Sequence, residues 1–187
     1  RSAVRCSSKA SSGWAWMSWL DAIMHMFATM GLGGFSSHDA SFGFFDSPAI
    51  EAVSIAFMLI AGCNFATHFL VLSQRSFSPY ATDPEAGWFL LVTIGSVIGI
   101  AVFLDVHEVY PTFLEALRFS AFNVVSIATT TGFANTDYAL WPFFAPLWML
   151  FLCSFATSAG STGGGIKMIR AIVLYKQVYR ELARAMH

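Results

Sequence analysis

Three long apolar segments constrain the fold of this chain more than any other feature of its sequence. They cover residues 47–72, 86–104 and 141–158, and the second and third carry no charged residue. Each approaches the ~20 apolar residues that a helix needs to cross a bilayer. Charged residues make up only 11% of the chain, whereas soluble domains average about 25%, so a water-facing fold would expose large apolar patches. Because strand signals are weak, the sequence predicts an all-helical membrane protein.

Net charge and cysteine content exclude several classes of function. The net charge is −1 and no basic patch alternates with aromatic residues, so we expect no nucleic-acid partner. The three scattered cysteines, an odd number, argue against a disulfide framework or a zinc site. No cofactor is predicted. Residues 1–16 are an atypical basic, Ser-rich start without the hydrophobic core of a signal peptide.

Two shorter apolar stretches, Trp19–Met30 and Thr112–Ala128, lie between the long segments. Stretches of this kind are more often buried or re-entrant than membrane-spanning. The positive-inside rule places the ends of the first and third long segments in the cytoplasm, because basic residues follow them: Arg75, Lys167, Arg170, Lys176, Arg180 and Arg184. Each short stretch would therefore enter from the outside and return to it.

Acidic residues occupy the loops on the predicted outer side, among them Asp39, Asp105 and Asp137. Carboxylates at the mouth of a pore would concentrate cations there. Ordinary solvated loop charges explain the same residues equally well.

The chain contains an internal repeat with a separation of 98 residues. This shift places Gly34-Phe35 on Gly132-Phe133 and Asp39 on Asp137. In both copies a short apolar stretch leads into a loop of small residues that ends in Gly-Phe, and an acidic segment and a long apolar segment follow. A single Gly-Phe pair would fit any loop packed between helices, whereas two copies in matched contexts favour a pore.

The physics of this pattern suits a cation. A short helix that ends inside the membrane directs its partly negative C-terminal end at the pore axis, and the loop after it can aim backbone carbonyls at a dehydrated ion. Gly34 and Gly132 would permit backbone conformations that other residues resist. Irregular backbone at membrane depth is tolerated only where it is buried or lines water.

A run of seven small residues, Ala159–Gly165, follows the third long segment. Such a run lets a helix unwind, and a wet cavity would satisfy the exposed backbone. From Ile166 onward the sequence predicts a basic amphipathic helix. A simple helix kink without a gating role remains an alternative. A phosphate-binding loop is disfavoured, because Ile166 separates the glycines from Lys167 and no strand precedes them.

Several motifs together resemble one known family. They are Leu32–Ser37, His38–Ser41, Phe44–Pro48, Ala61–Phe69, Thr129–Phe133 and Ala159–Arg170. These motifs closely resemble the TrkH family, the pore subunits of the bacterial Trk potassium uptake system, within the Trk/Ktr/HKT superfamily. The resemblance extends over about residues 17–187.

The resemblance implies four units around one pore, each a span, a pore helix, a filter loop and a second span. Residues 17–75 would be the pore half of the second unit, and residues 76–187 would be the third unit. Within the third unit it implies an outer span at 86–104, a pore helix at 112–128, a filter at 129–135, and a broken inner span at 141–175 before a basic tail.

The resemblance also implies the functional residues. The filter that binds K⁺, the only metal expected, would consist of Leu32, Gly33, Gly34, Thr130, Thr131 and Gly132, supported by Phe35 and Phe133. A gating loop beneath the filter would consist of Gly160, Ser161, Thr162, Gly163, Gly164, Gly165 and Lys167.

The function implied is gated uptake of K⁺, with Na⁺ as the alternative ion, across the bacterial cytoplasmic (inner) membrane by a multi-pass protein. The family's subunits form dimers and bind a cytoplasmic nucleotide-binding regulatory subunit, TrkA. The basic tail around Lys176–Arg184 is a candidate docking face, although such tails also bind lipid head groups. Residues 1–16 depart from the family, which has a spanning helix there, so we expect this chain to be a fragment that is inactive alone.

Two other classes of function are considered. A secondary transporter also uses broken helices. An intramembrane enzyme would need a nucleophile such as Ser161 with His68 as its base, and it would leave the repeat unexplained. Asn64 and His68 lie four residues apart on the first long segment. A structural hydrogen bond between helices is favoured for them over a proton relay or a metal site.

Overall fold

The computed structural model describes residues 17–185, and the atypical start at residues 1–16 lies outside the described residues. The described part consists of helices and the loops between them, without strands, as the sequence predicts. Its helices are α1 (Trp19–Met30), α2 (Pro48–Gly62), α3 (Phe65–Gln74), α4 (Ser78–Thr82), α5 (Pro84–Val106), α6 (Phe113–Ala128), α7 (Phe144–Cys153) and α8 (Met168–Ala185), with 3-10 turns at Ser41–Phe44 and Tyr138–Leu140.

Helix α5 corresponds to the second long apolar segment. Its start is capped by Asp83, whose carboxylate accepts a hydrogen bond from the Glu85 amide at 2.9 Å, and Pro84 fits the first turn. Among the described residues it is the single unbroken helix that is long and apolar enough to cross a bilayer. Its inner face buries Phe89, Ile100 and Leu104, and its main packing partner is α6.

The two short helices coincide with the predicted short stretches. α1 begins after Ser18 and α6 after Thr112, and each hydroxyl accepts a hydrogen bond from the amide three residues later. This is the N-cap arrangement that favours Ser and Thr at helix starts. α6 is the central helix of the fold, because α5, α2 and α7 all pack on it.

The first long segment is not the single spanning helix that the sequence predicts. α2 and α3 meet at 96° across a short break. The physical reason lies at Asn64, whose side-chain oxygen accepts the Ala66 amide at 2.9 Å and starts a new helix. Asn prefers such caps to helix interiors. His68 then bridges the break, since its Nε2 donates to the Ile60 carbonyl at 2.8 Å and its Nδ1 meets the hydroxyl of Tyr80.

The third long segment is also shorter than predicted. α7 ends at Cys153, so irregular backbone begins five residues before the predicted break at Ala159 and continues to Lys167. The Ser154 hydroxyl donates to the Phe151 carbonyl at 2.7 Å. Hydroxyls that compete in this way for backbone groups weaken a helix. The basic helix predicted after the break is present as α8, which begins at Met168.

Candidate functional site

Two loops follow the short helices, and their backbones have the same form. We name residues 31–36 the first Gly-Phe loop and residues 129–134 the second Gly-Phe loop. At matched positions both adopt positive φ: Leu32 (49°) matches Thr130 (61°), and Gly34 (67°) matches Gly132 (91°). Only glycine adopts this conformation without strain. The repeat found in the sequence is therefore a repeat of backbone structure.

The hydrogen bonds that close the two helices also match. In the first copy the amides of Gly31, Leu32 and Gly33 donate to carbonyls of α1 at 2.9, 3.2 and 2.9 Å. In the second copy the amides of Thr129, Thr130 and Thr131 donate to the corresponding carbonyls of α6 at 2.9, 2.9 and 2.8 Å. Both loops are thus C-terminal caps that hold the chain at the partly negative end of a helix.

The two loops touch each other at Gly34. A Cβ atom on Gly34 would overlap the carbonyl oxygen of Thr131 and would lie 3.2 Å from the carbonyl carbon of Gly132. No side chain fits there. A Cβ atom on Gly132, in contrast, would meet nothing within 4 Å. The structure therefore brings the predicted filter residues of both copies together, with a carbonyl of the second loop directed at the first.

The two phenylalanines predicted to support the loops have different surroundings. Phe133 is fully buried, with its ring 4.7 Å from Phe42 and 5.8 Å from His25 between centroids. Phe35 is 77% exposed. Packing support is therefore visible for the second loop, whereas the Phe35 side chain lies largely at the surface.

His25 and Asn123 are buried polar residues that the sequence analysis missed. Each contacts the carbonyl one turn back in its own helix and a side chain that follows its own Gly-Phe pair. The signal was available, because the shift of 98 residues places His25 on Asn123. The Asp21 carboxylate, on the same helix as His25, accepts hydrogen bonds from the Ser18 and Ser37 hydroxyls. These bonds lower the pKa of Asp21 to about 2.

Arg118 forms an ion-pair cluster that the sequence analysis also missed. Its guanidinium donates twice to the buried carboxylate of Glu51, at 2.8 and 2.7 Å, and once to Asp46 at 2.8 Å. Paired hydrogen bonds of this kind satisfy a buried charge. They fix α6 to the start of α2 across the two copies. No short-range pattern links residues 67 positions apart in the chain.

The glycine-rich segment, defined as residues 159–165, lies directly against the end of α1 and the second Gly-Phe loop. The Thr162 hydroxyl donates to the Met30 carbonyl at the end of α1, at 3.1 Å. The Gly164 amide donates to the Thr130 hydroxyl at 2.7 Å. A Cβ atom on Gly163 would lie 3.0 Å from the Thr129 carbonyl oxygen, so the close approach to the second loop at this point depends on glycine.

Lys167 folds back over the glycine-rich segment. Its Nζ donates to the Ser161 and Gly163 carbonyls at 3.1 and 2.6 Å and also meets the Ser161 hydroxyl. Gly165 is held closely as well, because a Cβ atom there would lie 2.7 Å from the Ser154 carbonyl oxygen. The ammonium group therefore satisfies polar backbone that the unwound helix leaves unpaired.

The beginning of the glycine-rich segment is fixed by the break between α2 and α3. The Ser158 amide donates to the Gly62 carbonyl at 3.1 Å, and the Phe65 amide donates to the Gly160 carbonyl at 3.2 Å. The buried carboxylate of Glu85, at the start of α5, accepts the Ala159 amide at 2.8 Å. The two helix breaks therefore support each other.

The alternatives drawn from the sequence can be compared with these contacts. The Ser161 hydroxyl donates to the Ser158 carbonyl at 2.7 Å, and His68 contacts Ile60 and Tyr80, so these two residues form no nucleophile–base pair. Asp39, Asp105 and Asp137 are all exposed. Residues 17–185 hold no group of three or more His, Cys, Asp or Glu side chains that could bind a metal ion.

Comparisons with known proteins assign the family. A family model described as TrkH, cation transport protein, matches residues 1–187. The chain belongs to the TrkH family. Trk system potassium uptake protein TrkH of Escherichia coli K12 is 46% identical over 173 residues, and that of Halomonas elongata is 45% identical over 174 residues. TrkG of Escherichia coli K12 is 34% identical. These TrkH-family relatives are named as potassium uptake proteins, not enzymes.

The structural comparison agrees with the TrkH assignment. The crystal structure of the potassium transporter TrkH from Vibrio parahaemolyticus superposes with a TM-score of 0.88 at 41% identity, and it covers 92% of this chain. The chain spans about a third of its relatives' length, 36% of the E. coli TrkH protein and 37% of the Vibrio structure.

Proposed function

We propose that this chain supplies two of the four quarters of a potassium-selective pore in a bacterial cytoplasmic-membrane protein. The observation that carries the proposal is the contact between two loops of the same backbone form, at the C-terminal ends of two short helices. Repeated loops of this kind can surround an ion with backbone carbonyls. The relatives, which are named as potassium uptake proteins, supply the identity of the ion.

The filter in this proposal is formed by backbone from Leu32 to Gly34 and from Thr130 to Gly132. Residues 19–30 and 113–128 act as the pore helices, whose negative ends favour a cation. α5 is the outer span of the third unit. α2 with α3, and α7 with α8, form the two broken inner spans. K⁺ is the transported ion, and no other cofactor is proposed.

The glycine-rich segment is proposed as the gate. It contacts Thr130 and the end of α1, and it does so through a backbone amide and one hydroxyl. Lys167 stabilises this closed arrangement through the Ser161 and Gly163 carbonyls. A segment held by a few polar contacts can leave the path at modest cost, since each such bond contributes only about 0.5–1.5 kcal/mol net.

The complete transporter needs more than this chain. We propose that the chain is inactive alone, because two filter loops cannot enclose an ion. The complete subunit is proposed to be a multi-pass dimer that binds the cytoplasmic regulatory subunit TrkA. The exposed basic face of α8, which includes Lys176 and Arg180, is a candidate contact surface on the cytoplasmic side.

A secondary transporter is the second candidate, because two helix breaks pack against each other and transporters of that class bind substrate at broken helices. The duplicated loops at helix C-termini favour the pore. The two candidates differ in kinetics. A pore passes ions at rates that rise with the membrane potential without a coupled ion, whereas a coupled transporter needs a second ion gradient.

The proposal is tested with a chimeric transporter, defined as the E. coli TrkH protein in which this chain replaces the matching 173-residue segment. We expect the chimeric transporter to restore growth of a potassium-uptake-deficient strain at low K⁺ and to take up Rb⁺ in preference to Na⁺. The chain expressed alone is the matched control and should give no uptake. A chimeric transporter that reaches the membrane but takes up no Rb⁺ would refute the proposal.

A further inference from the structure

His25 is a buried polar side chain with no part in the proposed ion path. It is 3% exposed. Its Nδ1 lies 2.8 Å from the Asp21 carbonyl oxygen and its Nε2 lies 2.9 Å from the Ser36 hydroxyl oxygen. Because a carbonyl only accepts, Nδ1 donates there, and Nε2 is left to accept the Ser36 hydroxyl. The ring therefore connects α1 to the residue that follows Phe35.

The same ring also contacts the second Gly-Phe loop. It lies nearly parallel to Phe133, with 5.8 Å between centroids and 27° between planes. The edges of Phe42 and Phe45 close the remaining sides at 5.2 and 5.5 Å. Such close packing leaves the imidazole one position. His25 therefore connects the first loop to a buried ring of the second loop.

Asn123 makes the corresponding contacts in the second copy. It is fully buried, and its amide nitrogen donates to the Phe119 carbonyl at 2.8 Å and to the Asn135 side-chain oxygen at 2.6 Å. Phe119 matches Asp21 under the shift of 98 residues, and Asn135 matches Ser37. Two chemically different side chains thus connect the helix to the limb after Gly-Phe, although His25 does so at Ser36, one residue before the position that matches Asn135.

We propose that His25 and Asn123 are positioning residues that set ion selectivity by fixing the outgoing limb of each filter loop. This inference rests on the proposed pore function. Neither residue contacts the ion path directly. Each acts by restricting how far the carbonyls of its loop can move, and displacements below 1 Å matter where oxygens replace a hydration shell.

The test compares the Rb⁺-over-Na⁺ uptake ratio of variants of the chimeric transporter. His25→Ala should lower the ratio about tenfold, since it removes a buried hydrogen-bond partner, while total cation uptake persists. Ser36→Ala removes the same bond with a much smaller change in volume and should lower the ratio about threefold. Val106→Ala, at the exposed end of α5 and outside the pore helices, is the control and should leave the ratio unchanged.

A rescue variant separates positioning from general packing. His25→Asn combined with Ser37→Asn transfers the pair found in the second copy, and it should return the ratio to within about twofold of the unsubstituted protein. Unchanged ratios in both alanine variants would overturn the inference, and so would failure of the paired variant to rescue. If His25→Ala does not reach the membrane, Ser36→Ala decides. An unsubstituted chimeric transporter that does not distinguish Rb⁺ from Na⁺ would instead refute the pore function itself.

Discussion

The two Gly-Phe loops have the same backbone but different neighbours. Positive φ recurs at matched positions, and the same helix-capping bonds close both loops. Around them the match ends. Gly34 is crowded by the Thr131 carbonyl whereas Gly132 faces open space, and Phe133 is buried whereas Phe35 is exposed. The form of each loop is therefore set locally by its helix cap, while its environment is supplied by the adjacent unit.

This difference gives the direction in which units follow one another. The second loop fills the space beside Gly34, and Phe133 packs behind the first copy against His25 and Phe42. In the proposed pore, a following unit that repeats this arrangement would place its loop beside Gly132. A preceding unit would bury Phe35 in the same way. In that proposal, the open side of Gly132 and the exposed Phe35 are surfaces that adjacent units would cover.

The largest expected effect is at Gly34. Gly34→Ala should lower Rb⁺ uptake by the chimeric transporter at least about 100-fold, because the methyl group would force the Thr131 carbonyl aside in addition to straining φ. Gly95→Ala is the matched control, since a Cβ atom there meets nothing within 4 Å. Normal uptake by Gly34→Ala would mean that the contact between the loops is absent in the membrane.

The phenylalanine pair tests whether the loops become equivalent in a complete pore. Phe133→Ala should destabilise the purified chimeric transporter by about 3 kcal/mol, the usual cost of removing a buried Phe, as measured by thermal unfolding in detergent. If a preceding unit covers Phe35, Phe35→Ala should cost a similar amount there despite the exposure seen in this chain. If Phe35→Ala leaves the stability of the chimeric transporter unchanged, the two loops are not equivalent in the complete pore.

The glycine-rich segment is expected to act mainly through the second loop. Deleting Gly163–Gly165 removes the contact with Thr130 and should raise uptake in the absence of TrkA about tenfold, because a few weak hydrogen bonds hold the gate. Thr162→Val removes only the hydroxyl contact with α1 and should raise uptake by less. If the deletion leaves uptake unchanged, a simple helix kink is favoured over a gate.

Helix identity was predictable wherever local signals dominate. The short helices α1 and α6 and the long helix α5 follow from their apolar length, and the capping residues Ser18, Thr112 and Asp83 fit their starts. The form of the loops followed from glycine at matched positions. The helix break at Asn64 was not predicted, because residues 47–72 form one apolar segment. The structure shows that the Asn64 side chain caps a new helix at the Ala66 amide. Extending the repeat would have helped, since Ala61-Gly62 falls on Ala159-Gly160.

The remaining features of the site could not be predicted, because they depend on contacts between residues that are far apart in the chain. Arg118 and Glu51 are paired only because α6 lies against α2, and Glu85 meets the Ala159 amide only because two helix breaks coincide. Nothing in either local sequence distinguishes these acids from solvated ones. The role of His25 could be predicted only in part. The repeat places His25 on Asn123, but nothing in the sequence indicates its contact with Phe133.

The most direct test of the account is the Rb⁺-over-Na⁺ uptake ratio of Gly132→Ser in the chimeric transporter. The substitution strains the backbone, whose φ of 91° disfavours serine, and in the complete transporter it would also crowd the loop that we expect beside Gly132. The account predicts a ratio at least about tenfold lower, with Gly95→Ser unchanged as the control. An unaltered ratio in Gly132→Ser would contradict the assignment of the second Gly-Phe loop to an ion filter.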